Sequence, residues 1–410
     1  MDQYFCALCG GPFSVPERTR AGPADPDKDA RTLVEGDEDF EYTYDGERVA
    51  KEELMWLVRL RVLAPYYDQR EYPTGMRVRD GYWVSGVGVE CSLNTATVPY
   101  LYDDVENEDD LDARDKDGVA EAIDVYGDPD DRAPRALWAY PFHDGCFQIL
   151  EAALAFAEDQ PGAPTRIPWS VVHHVFGTHC EAEGGVDCAL QLDYGHTCIE
   201  QYWTVNRGEE RYVSDPINVP ALRELLTNPP PLAAASTPPP KLGHINTKSD
   251  AFARLPAELL FQVLSYLPDA AVAALRLASR AVASLALDAS QAFWRARIAY
   301  LPCVLPADLE WTKGKGGDWR EVYRILRVGE VEALGFTNRR RVWGICMGVV
   351  REAAELVKGG FVPEDVRMCE RDGGSEGGHQ YAGEHGSGGE DESEQGNESE
   401  AEDGDDALEG

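Results

Sequence analysis

Between Asn228 and Asp250 the chain reads NPPPLAAASTPPPKLGHINTKSD, with two runs of three prolines and no apolar periodicity. Proline fixes φ and lacks the amide proton that helices and ladders need, so the stretch favours extended, polyproline-like backbone. It reads as a linker, which places the packing segments before and after it. The 410 residues are 43% hydrophobic, enough for two or more modest cores, and one small domain is excluded.

The two sides differ in character. Before the linker, short alternating runs such as Tyr82-Trp83-Val84-Ser85 and Arg211-Tyr212-Val213 mix with helical periodicity near Leu54 to Leu63 and Ile149 to Ala157. A mixed α+β domain over 1–227 is the expectation. After the linker the pattern is helical. Asp318 stands three residues before Glu321 as an N-cap acid, and Trp343, Cys346, Val350 and Val357 form one stripe ended by Gly359-Gly360. The expected organisation is therefore multidomain: 1–227, a linker at 228–250, an all-α module at 251–298, a C-terminal helical region at 299–367 and a tail at 368–410.

The formal charge is -36, with 74 acidic against 38 basic residues. Binding to nucleic acid or anionic lipid draws on Lys and Arg, so neither is an expected partner. From Glu370 onward fifteen acidic residues face only Arg371, in Gly- and Ser-rich chain with few large apolar side chains. Such a tail is expected to be disordered. Asp103 to Asp117 and Asp128 to Asp131 read as acidic insertion loops. No secretory pattern opens the sequence, and no window approaches eighteen apolar residues, so a cytoplasmic or nuclear protein with reduced cysteines is expected.

Cys6-Ala7-Leu8-Cys9-Gly10 sets two thiols two residues apart with glycine after the second, the spacing that folds a backbone knuckle around one tetrahedral metal. The best second pair is His143 and Cys146, because Phe142-His143 precedes a helical run and Cys146 would project from its first turn. Three sulfurs and one nitrogen make a structural zinc site with no position left for water or substrate. A knuckle joined to a helix start resembles the treble-clef arrangement of LIM-like zinc domains. Loop-closure entropy grows only logarithmically, so the long separation between the pairs is tolerable. The alternative is two ordinary reduced cysteines beside a helix-capping histidine.

In Ala253-Arg254-Leu255-Pro256-Ala257-Glu258-Leu259-Leu260 the proline stands at a first helical turn. Leu259, Leu260, Val263, Leu264 and Leu267 then define a wide apolar face until Pro268-Asp269 stops one helix and starts another. Leu275, Leu277, Val282, Leu285 and Leu287 continue the signal through two more short helices. Three small helices bury little alone, and each leucine covered by a partner would contribute roughly 1.5 to 3 kcal/mol.

The segment LPAELLFQVLSYLPDAAVAALRLASRAVASLA, Leu255 to about Leu287, resembles an F-box, which docks onto the Skp adaptor of cullin-RING ubiquitin ligases. The resemblance implies that Leu255, Pro256, Leu259, Leu260, Val263, Leu264, Leu267, Pro268 and Leu275 form the adaptor-binding face. CALCGGPF, PFHDGCFQILEAAL, YVSDPINVPALRELL, FWRARI and DWREVYRILR extend it, with less specificity, to a group of fungal F-box proteins. It implies a substrate-recruiting subunit with an unknown protein target and no catalysis of its own.

Other features carry less. His173, His174, His179, Cys180, Cys188, His196 and Cys198 have spacings that fit no single metal knuckle and read as core and surface side chains. A cysteine-dependent enzyme using Cys198 or Cys180, and a zinc-stabilised interaction module acting outside a ligase, are the alternative functions. Asp115-Lys116-Asp117-Gly118 reads as a solvated loop because Ala113 occupies the first calcium-ligand position. Arg339-Arg340-Arg341 reads as a helix face meeting acidic surface.

Overall fold

The computed structural model describes residues 5–15, 48–66, 74–88, 90–92, 95–104, 120–126, 138–160, 164, 166–180, 192–194, 208–232 and 250–362. The acidic loops beyond Asp104, residues 233–249 of the proline-rich stretch, the tail from 368, and Cys188, His196 and Cys198 lie outside them.

Among the described residues seven strands come first: β1 (Leu60–Pro65), β2 (Val78–Arg79), β3 (Tyr82–Val84), β4 (Glu90–Ser92), β5 (Thr95–Pro99), β6 (Ala120–Asp124) and β7 (Tyr140–His143). One antiparallel sheet has the order β2-β3-β1-β7, and a second has the order β4-β5-β6. All six residues of β1 are buried, as befits a strand between two partners. It pairs Leu63 with Val84 on one side and Leu60 with His143 on the other. The expected helix from Leu54 to Leu63 is corrected here. Lys51–Val58 is a 3-10 helix and the rest is strand, because both edges of β1 find ladder partners that local periodicity cannot reveal. Likewise Glu210–Tyr212 is a 3-10 turn and not a strand.

Helix α1 (Asp144–Glu158) follows β7 with no intervening residue, and α2 (Trp169–His179) and α3 (Pro220–Thr227) come next. Proline opens α3 where its missing amide proton is harmless. The remaining helices are α4 (Ala257–Ser265), α5 (Asp269–Ala278), α6 (Arg280–Ala283), α7 (Gln291–Ile298), α8 (Pro306–Glu310), α9 (Trp319–Val328) and α10 (Leu334–Lys358). Asp318 caps α9 as expected, accepting from the Glu321 amide at 3.2 Å.

Two apolar cores result among the described residues. The larger takes Leu8, Val62, Phe142 and Leu150 from before the proline-rich stretch and Leu305, Val322, Trp343 and Val350 from after it. Helix α10 packs across α1 and α2. The smaller core belongs to the helical module: Leu260, Leu264, Val272, Val282, Leu287 and Phe293, with Trp294 touching both cores. Arg297 of α7 donates to the carbonyls of Leu264 at 3.0 Å and Leu267 at 2.6 Å, placing a cation at the C-terminus of α4. Asp250 closes the module by accepting from the Ser279 hydroxyl and the Ala281 amide.

The expected acidic surface contact of Arg339 and Arg341 is replaced by internal ones. Arg339 is fully buried, pairs with Asp308 at 2.6 Å and donates to the Ile217 carbonyl at 2.8 Å. Arg341 donates to the carbonyls of Cys9 at 2.9 Å and Tyr194 at 3.0 Å. Guanidinium forks satisfy several carbonyls at once, and those acceptors come from distant sequence.

Candidate functional site

Phe5 and Pro12 bridge antiparallel, and the Gly10 amide returns to the Cys6 carbonyl at 2.9 Å, so residues 5–12 close into a tight turn. Gly10 has φ +74, a left-handed conformation that glycine adopts without steric penalty. The turn docks on the β7–α1 junction through the Ala7 amide and the Pro141 carbonyl at 2.9 Å. Cys6, Cys9, His143 and Cys146 thereby converge, all fully buried, with their ligand atoms within 4.8 Å of one another. The edges of a tetrahedron with metal bonds of about 2.0 to 2.3 Å are about 3.3 to 3.8 Å, so the donor set fits one ion after a contraction. The cluster is able to hold a metal.

Orientation within the cluster also suits ligation. His143 Nε2 donates to the Pro12 carbonyl at 3.0 Å, which leaves Nδ1 facing Cys9 Sγ at 3.2 Å and Cys146 Sγ at 3.9 Å. A backbone carbonyl on the far ring nitrogen is the usual way a ligating histidine is held in its tautomer. The Gly11 amide donates to Cys9 Sγ and the His143 amide to Cys6 Sγ, each at 3.3 Å. Burial raises the Cys9 thiol pKa, but hydrogen bonds from Cys146 and Cys6 and the His143 charge outweigh it and hold Cys9 well below its usual value. Burial would lower His143, yet the charges of Cys9 and Cys6 lift it to about 10. Burial and the neighbouring sulfurs push Cys146 up. Cys9 is thus the sulfur that favours negative charge where a cation would sit.

A residue outside the expected set braces this corner. Arg61 of β1 donates to Asp144 at 2.6 Å and to the carbonyls of Ser85 and Tyr102, each at 2.8 Å, locking the start of α1 against the sheet. Arg61 falls in an apolar strand, and only its long-range partners give it this role.

The other histidines among the described residues do not join the cluster. His173 donates from Nε2 to the Trp138 carbonyl at 2.6 Å and packs on Tyr82 and Tyr140. His179 pairs with Glu352 at 2.7 Å, and His174 lies against Phe361. Cys180 is buried at the end of α2. Among the described residues, Cys6, Cys9, His143 and Cys146 are the one grouping with metal-ligand geometry.

The second candidate site is the outside of the helical module. Leu259 and Val263, one turn apart on α4, remain 47% and 43% exposed, and Leu255, extended just before that helix, is 42% exposed. Tyr266 is 64% exposed just beyond α4, and Leu277 on α5 is 91% exposed. Pro256 and Pro268 are exposed at the helix starts, while Leu267 and Leu275 are half-buried. Leu260 and Leu264 are placed otherwise than the expected face: at 4% and 1% exposure they fill the module's own core. A wide apolar stripe has two edges, and the inner edge turns toward Val282 and Phe293. Tyr266 and Leu277 are outward apolar groups that the expected set did not include.

Residues 252–297 match the family model of the F-box-like domain. The chain carries an F-box-like domain. No curated protein and no solved structure matches the chain significantly. No helix among the described residues is long and apolar enough to cross a membrane.

Proposed function

We propose that this chain is an F-box subunit that recruits a protein substrate to a cullin-RING ubiquitin ligase through a Skp-type adaptor. The observation that carries the reading is the stripe Leu255, Leu259 and Val263, exposed on a module that matches the F-box-like family and has its own separate core. Apolar side chains aligned and left in water on a module otherwise able to hold itself together are what a partner's groove would cover. Pro256, Pro268 and the half-buried Leu267 and Leu275 flank that stripe and complete the docking face. The larger core, in which the N-terminal sheets and the C-terminal helices meet, supplies the surface for the target. Ubiquitin transfer belongs to other subunits, and the chain acts by raising the effective concentration of the target near the conjugating enzyme. Such a role places it in the cytoplasm or nucleus.

Zinc is the metal the cluster would take, since three thiolates and one imidazole form a closed structural set. Cys6, Cys9, Cys146 and Nδ1 of His143 would hold it, and its contribution would be to fasten the N-terminal turn onto the β7–α1 junction. The full-length chain should co-elute with a purified Skp-type adaptor in size-exclusion chromatography, and Leu259→Asp should abolish co-elution while leaving the far-ultraviolet spectrum unchanged. Failure of the unaltered chain to co-elute would remove the reading.

A further inference from the structure

A groove of about 590 Å³ lies between the F-box-like module and α9. Phe293, Trp294 and Tyr323 line it together with five arginines, Arg276, Arg297, Arg320, Arg324 and Arg327. Only three carboxylates, Asp269, Asp318 and Glu321, share the lining, so cations outnumber anions there although the whole chain carries -36. Asp269 is shared between Arg297 and Arg327, and Arg324 lies between Glu321 and Glu330. Arg276 pairs with no carboxylate among the described residues, and Arg320 lies 6.0 Å over the Trp294 ring. Two buried donors, Trp294 Nε1 and Arg297 Nε, have no acceptor among the described residues, and both side chains line this groove. The excess of guanidinium donors over carboxylates makes the groove suited to an acceptor-rich, anionic occupant.

The sequence supplies one. Glu390 to Asp406, EDESEQGNESEAEDGDD, carries ten carboxylates and no Lys, Arg or Pro. The 28 residue-to-residue steps from Val362 to Glu390 reach about 90 Å at full stretch, ample for a domain of this size. We infer that residues 390–406 seat in the arginine groove as an intramolecular acidic ligand. Each exposed charge pair is weak and screened by salt, and tethering offsets that weakness by holding the segment at high effective concentration. The seat lies on α5, α7 and α9, apart from the stripe on α4, so the inference does not depend on adaptor binding.

The test compares two full-length chains, one native and one with the ten carboxylates of 390–406 changed to the corresponding amides. Each is modified with phenylglyoxal, and the rate at each arginine is mapped by mass spectrometry. Arg276, Arg320 and Arg327 should react roughly threefold or more slowly in the native chain. That difference should vanish in about 1 M salt, and the exposed Arg351 of α10 should react alike in both chains. Equal rates at the groove arginines overturn the inference, as does equal slowing of Arg351, which would mean general electrostatic attraction without a seat. Equal rates in the two chains, with slowing only on addition of a separate acidic peptide, would assign the groove to a partner and likewise reject the tail as its occupant.

Discussion

The guanidinium of Arg341 donates to the carbonyl oxygen of Cys9 at 2.9 Å, joining the N-terminal turn to the C-terminal helix across 332 residues of chain. The same side chain holds the Tyr194 carbonyl and the Asn338 side chain. The cysteine turn is therefore gripped on one side by the β7–α1 junction and on the other by α10, and the Cys/His cluster sits at the place where both ends of the larger core meet.

Replacing Arg341 by Leu should cost about 1 to 3 kcal/mol, the range for leaving buried carbonyls without their donor. Lys should recover little, because one ammonium cannot span both carbonyls as the fork does. Urea unfolding of the three chains checks this, and stability equal to the wild type in the Leu variant would refute it.

Freshly purified protein should contain about one zinc per chain, and Cys9→Ser should release it. Because the ligands bind metal only when deprotonated, zinc should also leave as the pH falls. Metal analysis by mass spectrometry, before and after chelation, gives the stoichiometry; metal-free protein of unchanged stability would contradict the assignment.

Arg339→Met should be among the most destabilising single changes, at about 3 to 5 kcal/mol, since it strands Asp308 without its partner. Burial already raises the Asp308 pKa, with Arg339 as the chief opposing influence. Changing Asp308 to Asn together with Arg339→Met should recover part of the loss. Thermal melts of the single and double variants decide the point.

His173 gives a pH signature. Burial lowers its pKa to about 4, aided by the charge of neighbouring His174 and opposed by the Trp138 carbonyl. The unfolded chain, with histidine near 6.5, binds the proton first, so stability is full above about pH 6.5 and is lost as the pH falls toward 4. A wild-type protein should lose about 3 kcal/mol from this group across that window. His173→Gln, less stable at neutral pH, should show a shallower decline, and parallel pH profiles would exclude the effect.

The Cys/His cluster was legible because both halves are local: C-x-x-C forms a turn, and a histidine three residues before a cysteine at a helix start points both side chains one way. Their convergence follows from the turn docking on the β7–α1 junction, where the Ala7 amide meets the Pro141 carbonyl. The F-box-like helices were legible from Leu-Pro starts and apolar spacing, but spacing cannot say which edge of the stripe turns inward, so Leu260 and Leu264 were expected outside and lie inside. Arg339 and Arg341 looked like surface charge because nothing local announces that the carbonyls of Ile217 and Cys9 await them. For the same reason, the larger core spanning both sides of the proline-rich stretch has no sequence signal. It depends on α10 finding α1 and α2, a pairing of separated segments.

The most direct test is calorimetric titration of a purified Skp-type adaptor into the full-length chain and into a Leu259→Asp, Val263→Asp double variant. The apolar stripe should give saturable binding with a negative heat-capacity change in the wild type, and the double variant should bind roughly a hundredfold more weakly at an unchanged melting temperature. Equal affinities in the two chains, or no binding by the wild type, would contradict adaptor docking through this face.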